Sequence, residues 1–260
     1  MRSLRLSLLI LFLCPPLLPA ETPPHLLVWK FDDLRLAPKN SPTTRIKPAV
    51  RAVTEWAAQQ HVPISLGIIC NSLANPNAGD VDWVKSHAIE NGGPVEFWLH
   101  GWDHLKAVPS AGGEEAPEFQ KQDLTYQTRH LRDSIEAMRR ATGLGLTTFG
   151  APWNAIDPTT VAAMDACPEL TVWLYGPKGD QRRTVLPRSV NLEYATGKVL
   201  YDQFVAQYAK SSGVPCLVLQ GHPPNWTDQD ISEFKRIAEL LKRDGWKTVT
   251  PREAARLLRQ

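Results

Sequence analysis

The chain has 260 residues, of which 43% are hydrophobic and 22% charged, a composition typical of a globular protein with a buried core. Its formal net charge is only +2 and it contains no run of Lys and Arg, so the sequence gives no support for nucleic-acid binding. The length suits one large α/β domain better than two small ones.

The N-terminal segment has the layout of a secretory signal peptide. Arg2 and Arg5 make a basic start, a mainly apolar run covers residues 6–13, and a Pro-rich stretch ends at Ala20. The apolar run is too short to span a membrane, and no later segment reaches the required length. We therefore expect a signal peptide over residues 1–20, a domain over residues 21–260, and a secreted or periplasmic product with no membrane span.

Predicted strands and helices alternate after this segment. Short apolar runs predict buried strands over residues 25–31, 62–70, 94–99, 146–154 (running into a loop), 170–176, 215–222 and 246–250. Apolar spacing and cap residues predict helices over residues 46–60, 80–91, 117–142, 157–167, 198–213 and 228–245. The alternation indicates parallel βα units, and about seven pairs fit a single-domain irregular barrel of fewer than eight strands.

Three cysteines follow the leader, at positions 70, 167 and 216. An odd number at wide spacing does not make a disulfide framework, and without any Cys-x-x-Cys spacing it does not indicate a cysteine metal site. Three buried thiols are favoured, and a single bridge is the alternative.

Polar side chains gather directly after the predicted strands. The residues in question are Asp32 and Asp33, His100 and His104, Asn154, and His222. In parallel α/β folds the C-terminal ends of the strands meet on one face, and that face carries the active site. The sequence therefore predicts that two carboxylates and three imidazoles come together.

His100 and His104 have a spacing found in metal-binding pairs. They follow a strand, so they do not form the helical zinc motif that has Glu after the first His. A loop can still place both imidazoles on one ion, and a carboxylate from another strand would complete three protein ligands, as in catalytic zinc sites. The alternative is a pair of polar histidines that cap the end of the barrel.

Asp32 and Asp33 end a strand that is otherwise almost wholly apolar. Two adjacent carboxylates in a partly buried site repel each other, so a functional reason is expected for both. One can bind a metal while the other accepts the proton of water activated by it. A solvated loop is the alternative. His222 is a lone histidine, and its place on the same face favours a catalytic acid over a structural role.

These motifs, in this order over about residues 25–250, resemble those of the polysaccharide deacetylase superfamily (the NodB-homology domain of carbohydrate esterase family 4). The stretch "FDD" resembles the first motif, "HGWDH" the second and "LQGH" the last, while "FGAPWN" stands at the third, Arg-x-Pro motif. The resemblance implies an irregular (β/α)₇ barrel with zinc or a similar divalent ion. It also implies the site residues: Asp32 as base, Asp33, His100 and His104 as metal ligands, His222 as acid, and Pro152 and Trp153 in the third motif.

Two departures mark the chain as a divergent member of that pattern. Gly150 replaces the Arg of the third motif, which orients the catalytic base, and Arg35 is a candidate substitute. Gly101 replaces the Ser or Thr that usually follows the first histidine, and Asp103 or Trp102 is a candidate for steadying the loop.

The resemblance implies a metal-dependent deacetylase that removes N- or O-acetyl groups from a carbohydrate. Four residues are candidates for substrate contact, namely Pro152, Trp153, Asn154 and Trp226, with plain packing as the alternative for both tryptophans. The alternative functions are a non-catalytic sugar-binding relative and a metal-dependent hydrolase of another amide or ester.

Overall fold

The structure, a computed structural model, describes residues 25–110, 112–211 and 213–259. The predicted signal peptide lies outside the described residues. Among the described residues, no helix is long and apolar enough to cross a membrane. The three cysteines at positions 70, 167 and 216 are buried and unpaired, as expected.

The described ranges contain twelve strands and seven α-helices. The strands are β1 (Leu26–Leu34), β2 (Ile64–Ile68), β3 (Val95–Leu99), β4 (Val108–Pro109), β5 (Glu115–Ala116), β6 (Thr148–Phe149), β7 (Val172–Leu174), β8 (Thr184–Leu186), β9 (Glu193–Ala195), β10 (Lys198–Val199), β11 (Cys216–Gly221) and β12 (Lys247–Thr248). The helices are α1 (Pro48–Gln60), α2 (Ala78–His87), α3 (Leu124–Thr142), α4 (Pro158–Asp165), α5 (Tyr201–Tyr208), α6 (Asp228–Arg243) and α7 (Pro251–Leu258).

Seven parallel strands form one strongly curved sheet, in the order β11-β1-β2-β3-β6-β7-β8, and β12 pairs with the start of β1. This confirms the predicted single-domain irregular (β/α)₇ barrel. Its two terminal strands, β8 and β11, do not pair with each other in the described part of the chain. The Tyr175 hydroxyl, just after β7, reaches towards β11 and donates to the Val218 carbonyl at 3.0 Å.

The two faces of β1 show how the barrel is packed. Leu27, Trp29 and Phe31 belong to the large apolar cluster between the sheet and the helices. Leu26 and Val28 point the other way and join a smaller cluster inside the barrel. Since side chains alternate along a strand, Lys30 and Asp32 also face the interior, above this apolar floor.

Local sequence accounts for several helix ends. Asp157 and Thr160 form a capping box at the start of α4, and α3 ends at Gly143 in the left-handed conformation. Two predicted helices are markedly shorter than expected: α3 begins only at Leu124, after its cap Asp123, and α5 covers Tyr201–Tyr208 of the expected 198–213, whose first residues form β10. Residues 117–123 instead form a loop that carries a buried carboxylate, that of Glu118.

Candidate metal centre and active-site cleft

The ends of β1 and β3 bring the predicted metal ligands together. The Oδ1 atom of Asp33 lies 3.1 Å from Nε2 of His104 and 3.4 Å from Nε2 of His100. Asp33 and His104 both have left-handed backbones, with φ of 70° and 62°, which is uncommon for residues other than glycine. Such strain concentrates at functional sites, where the surrounding structure holds it in place.

The donor atoms of this triad fit a divalent cation. Asp33 Oδ1 is buried and has no hydrogen-bond partner among the described residues, which is costly unless another ligand satisfies it. The Nδ1 of His100 lies 2.8 Å from the Gly150 carbonyl, so this nitrogen carries the proton and Nε2 is free to act as a ligand. Burial by itself raises the pKa of Asp33, but contacts with His100 and His104 outweigh it and hold that pKa well below its usual range.

Asp32 is held by a lysine inside the barrel. Nζ of Lys30 lies 2.7 Å from both carboxylate oxygens of Asp32, and Lys30 is fully buried. The Gln220 side-chain amide also donates to Asp32 Oδ2, at 2.6 Å. Burial raises the pKa of Asp32, but the Lys30 charge, with smaller contributions from His100 and His222, leaves it below the ordinary value. The carboxylate is therefore ionised and fixed in one orientation.

Lys30, and not Arg35, stands beside the carboxylate of Asp32. The Arg35 guanidinium donates to the Asp103 carbonyl at 3.1 Å and forms no bond to Asp32. Lys30 also lies over the rings of Trp98 and Tyr175, with Nζ at 4.8 and 5.0 Å from their centroids.

The place of a third-motif Arg is taken by a tryptophan ring. A Cβ atom at Gly150 would lie 2.7 Å from Cζ3 of Trp98, so the buried indole leaves no room there for any side chain. The space is used for packing, and Lys30, on the same strand as Asp32 and two residues before it, supplies the positive charge.

The main anchor of the histidine loop is Glu118. Of the two expected candidates, Asp103 contributes a local bond, in which its Oδ1 accepts from the Leu105 N–H at 3.0 Å, and Trp102 contributes its backbone N–H. The backbone N–H groups of Trp102 and His104 donate to the two Glu118 oxygens, at 2.6 and 2.8 Å. Nδ1 of His130 lies 2.8 Å from Glu118 Oε1. The His130 side chain, on α3, is buried.

Gly101 is required by this arrangement. Its φ is +76°, and an added Cβ would collide with Pro152 Cγ and lie 2.6 Å from Glu118 Oε2. A Ser or Thr at this position is thus incompatible with the Glu118 contact, which provides the loop anchor in its place.

His222, at the end of β11, pairs with a carboxylate from β9. Its Nδ1 lies 2.7 Å from Glu193 Oε2, while Glu193 Oε1 accepts from the His222 backbone N–H at 2.7 Å. Burial lowers the pKa of His222, but the Glu193 hydrogen bond and the nearby carboxylates outweigh it, and the pKa is raised. Nε2 of His222 is 3.9 Å from Asp32 Oδ2, so both groups face one cleft.

Of the four predicted substrate-contacting residues, two line this cleft, which has a volume of about 460 Å³. Trp153 is 48% exposed, with its ring centroid 4.8 Å from that of His104. Asn154 donates to Gln220 at 3.2 Å. Pro152 and Trp226 do not line the cleft: Pro152 packs against Gly101, and Trp226 is buried with its Nε1 donating to Glu193.

Four site residues are absent from the predicted set: Lys30, Glu118, Glu193 and Gln220. Two of them could have been found from the sequence. Lys30 lies two residues before Asp32 and Gln220 two residues before His222, and residues two apart on a strand point to the same face, here the inside of the barrel. Glu118 was hidden in an over-long predicted helix, and nothing in the local sequence distinguishes Glu193.

Neither the known protein-family models nor the curated proteins include a match to this chain. Solved structures do match, with full probability. The carbohydrate esterase family 4 domain of a multidomain xylanase from the hindgut metagenome of Trinervitermes trinervoides has a TM-score of 0.59 and 14% identity, over 89% of both chains.

Two further structures give similar values. A family 4 acetyl xylan esterase from Clostridium thermocellum, in complex with a cobalt ion, has a TM-score of 0.59 and 15% identity, over 88% of this chain and 89% of that one. A family 4 pseudoenzyme from Bacillus anthracis has a TM-score of 0.58 and 12% identity, over 90% of this chain and 66% of its own. The similarity confirms the fold that the sequence resemblance implied.

Proposed function

We propose that this protein is an exported, metal-dependent deacetylase that hydrolyses an N- or O-acetyl group of a carbohydrate. One observation carries the proposal: the unsatisfied Asp33 Oδ1 and two imidazole Nε2 atoms converge beside a fixed carboxylate and a His–Glu pair. The neighbours of this fold include carbohydrate esterases, and the N-terminal sequence supports export.

Asp33, His100 and His104 would hold the ion. Two imidazole nitrogens and one carboxylate oxygen favour Zn²⁺, since catalytic zinc sites use three such ligands and leave one position open. A divalent ion there supplies Lewis acidity, which polarises a carbonyl oxygen and lowers the pKa of water.

The protein's own residues supply the proton transfers. Asp32, ionised and oriented by Lys30 and Gln220, accepts the proton of the attacking water. His222, whose protonated form is favoured by its hydrogen bond to Glu193, donates a proton to the departing amine or alkoxide as its bond to the acetyl carbon breaks. The products are acetate and the free amine or alcohol of the sugar.

The geometry favours catalysis over binding alone, although one protein of this fold is a pseudoenzyme. A sugar-binding site has no need for a buried lysine that holds a carboxylate ionised, or for a histidine whose pKa a second carboxylate raises. The Asp32 carboxylate and His222 both line the same cleft as the candidate ligands.

Asp32→Asn tests the proposal. Because the amide cannot accept the proton of water, acetate release from acetylated oligosaccharides should fall at least about a hundredfold. Zinc affinity should be retained, since the three candidate ligands remain. Asp133→Asn, on the exposed side of α3, is the control with wild-type turnover. Undiminished acetate release by the Asp32→Asn protein would contradict the assigned base, and saccharide binding by the metal-loaded wild type without acetate release would favour the non-catalytic alternative.

A further inference from the structure

Arg188, in the cleft, has two guanidinium Nη groups that are free to donate hydrogen bonds to a ligand. Arg188 follows β8, its guanidinium lies 5.6 Å from the Tyr175 ring centroid, and its Nε donates to Asn191 Oδ1 at 2.8 Å. Among the described residues its two Nη groups have no partner, and no carboxylate lies within 4.0 Å. Arg188 lines the same cleft as Asp32 and His222.

A second groove, of about 480 Å³, adjoins this cleft at the candidate triad, and the two share Asp33, His104, Trp153 and Asn225. Three cations line this second groove: Arg35, Arg45 and Lys47. Within the described part of the chain, none of the three side chains forms a salt bridge.

The two grooves carry positive charge that the protein leaves unbalanced. Arg188 lines one groove, and Arg35, Arg45 and Lys47 line the other, and none of the four forms a salt bridge in the described part of the chain. An anion bound in either groove would form charge-assisted hydrogen bonds with these cations.

The carboxylates of the cleft do not fill that role. Asp32 is bound by Lys30, Glu193 is bound by His222 and Trp226, and Asp33 faces the two metal-binding imidazoles. These carboxylates already have partners. Arg35 donates to the Asp103 carbonyl, whereas the Nη groups of Arg188 and the side chains of Arg45 and Lys47 have no hydrogen-bond or salt-bridge partner among the described residues.

Exposed aromatic side chains accompany the cations. Trp153, 48% exposed, stands where the two grooves meet, and Tyr194, 51% exposed, lines the cleft near Arg188. Aromatic faces pack against sugar rings, and an arginine fork binds a planar carboxylate through two parallel hydrogen bonds.

From these features, and resting on the proposed deacetylase function, we infer that the substrate is an acidic saccharide chain. The acetylated sugar lies at the triad, Arg188 binds an anionic group on one side of it, and Arg35, Arg45 and Lys47 bind anionic groups on the other. The fork geometry of Arg188 favours a carboxylate, as in a uronic acid, over a sulfate.

The test compares one acetylated oligogalacturonate with the same chain after its carboxyl groups are reduced to neutral alcohols. The zinc-loaded wild type should show a kcat/KM at least about tenfold higher on the acidic chain, mainly through KM. Raising NaCl to 0.5 M should reduce this ratio, because salt screens exposed charges. An acetylated, sulfated neutral chain separates the two sources of negative charge, and a preference for it over the carboxylated chain would overturn the carboxylate assignment.

Arg188→Gln should bring the acidic-to-neutral ratio close to one, and Arg188→Lys should leave an intermediate ratio, since it keeps the charge without the fork. Arg45→Gln with Lys47→Gln should lower the ratio for long chains and leave it unchanged for the shortest. Arg139→Gln, an exposed α3 arginine remote from both grooves, is the control and should leave the ratio unchanged.

A separate binding measurement keeps this inference distinct from the proposed activity. Calorimetry of unacetylated oligogalacturonate with the Asp32→Asn protein needs no turnover, and it should show tighter binding than the reduced chain does. Equal binding of both chains, or an acidic-to-neutral ratio that Arg188→Gln does not change, would overturn the inference. Preferential acidic binding with no acetate release from any chain would overturn only the deacetylase function.

Discussion

Two groups of histidine and carboxylate side chains lie on either side of the same loop, and each has its potential ligand atoms within 4.8 Å of one another. One is Asp33, His100 and His104, and the other is Asp103, Glu118 and His130. They differ in what the carboxylates already bind. Within the described ranges Asp33 Oδ1 has no hydrogen-bond partner, whereas Glu118 accepts from two backbone N–H groups and contacts His130.

The electrostatics of the two groups differ in the same way. Nearby imidazoles lower the pKa of Asp33. Burial and the neighbouring Glu118 charge raise the pKa of Asp103. Ligand-type residues at close range are therefore not sufficient for a metal site, because the lone pairs must also be free. The first group is suited to an ion, and the second holds the loop that positions the first.

The largest expected effect separates the two groups directly. His104→Ala should weaken zinc binding by more than about a hundredfold, since even residues that only support ligands cost 10- to 100-fold. His130→Ala should weaken it less than about tenfold. Zinc titration of both variants by calorimetry measures the difference, and similar losses in both would mean that the second group also binds the ion.

Glu118→Gln should destabilise the fold. Each Glu118 oxygen accepts from one backbone N–H, that of Trp102 or that of His104, and the amide nitrogen of Gln would replace one of these acceptors with a donor. We expect the free energy of unfolding, without metal, to fall by about 2–3 kcal/mol. Denaturant titration measures it, with the exposed Glu115→Gln as a control that changes by less than about 0.5 kcal/mol. A neutral Glu118→Gln substitution would show that this carboxylate does not anchor the loop.

Lys30→Met tests whether a carboxylate whose oxygens already accept hydrogen bonds, that of Asp32, can still take part in catalysis. Asp32 resembles Glu118 in having its oxygens bound, but it faces the cleft. Loss of its orienting partner should lower kcat about 10- to 100-fold with little change in KM. In the Asp32→Asn protein the same substitution should add almost nothing, and steady-state kinetics of the four proteins form the double-mutant cycle. If instead the two substitutions lowered kcat by independent factors that multiply in the double variant, Lys30 would not act through Asp32 and would affect stability alone.

The smallest effect concerns the third His–carboxylate contact, between His222 and Glu193. Glu193 raises the pKa of His222, and the protonated form is the acid, so activity should fall as pH rises through that pKa. Glu193→Gln removes the charge and should move this alkaline limb to lower pH. The pH profile of kcat/KM at saturating zinc measures the shift, and an unmoved limb would assign the acid to another group.

Much of the fold could be predicted because it depends on local patterns. Short apolar runs alternating with capped amphipathic stretches indicated parallel βα units, and the sheet confirms them. The sites of polar residues at strand ends followed from the same reasoning, since parallel strands share one carboxyl-end face. Asp33, His100 and His104 do lie together there.

The supporting residues could not be predicted in this way. Arg35 is near Asp32 in sequence, but its guanidinium turns to the Asp103 carbonyl, while the Lys30 side chain points into the barrel beneath the carboxylate. Trp226 carries the aromatic ring expected of a sugar-binding residue, yet packing against Phe31 buries it.

The sequence by itself determined which residue types stand at the end of each strand, and therefore which side chains can meet. Only the tertiary structure decided which partner each group has. Glu118 reaches the histidine loop across 14 to 16 residues and Glu193 reaches His222 across 29. Such contacts depend on how loops close in space, and hydrogen-bond geometry over a few ångströms has no signature in local composition or periodicity.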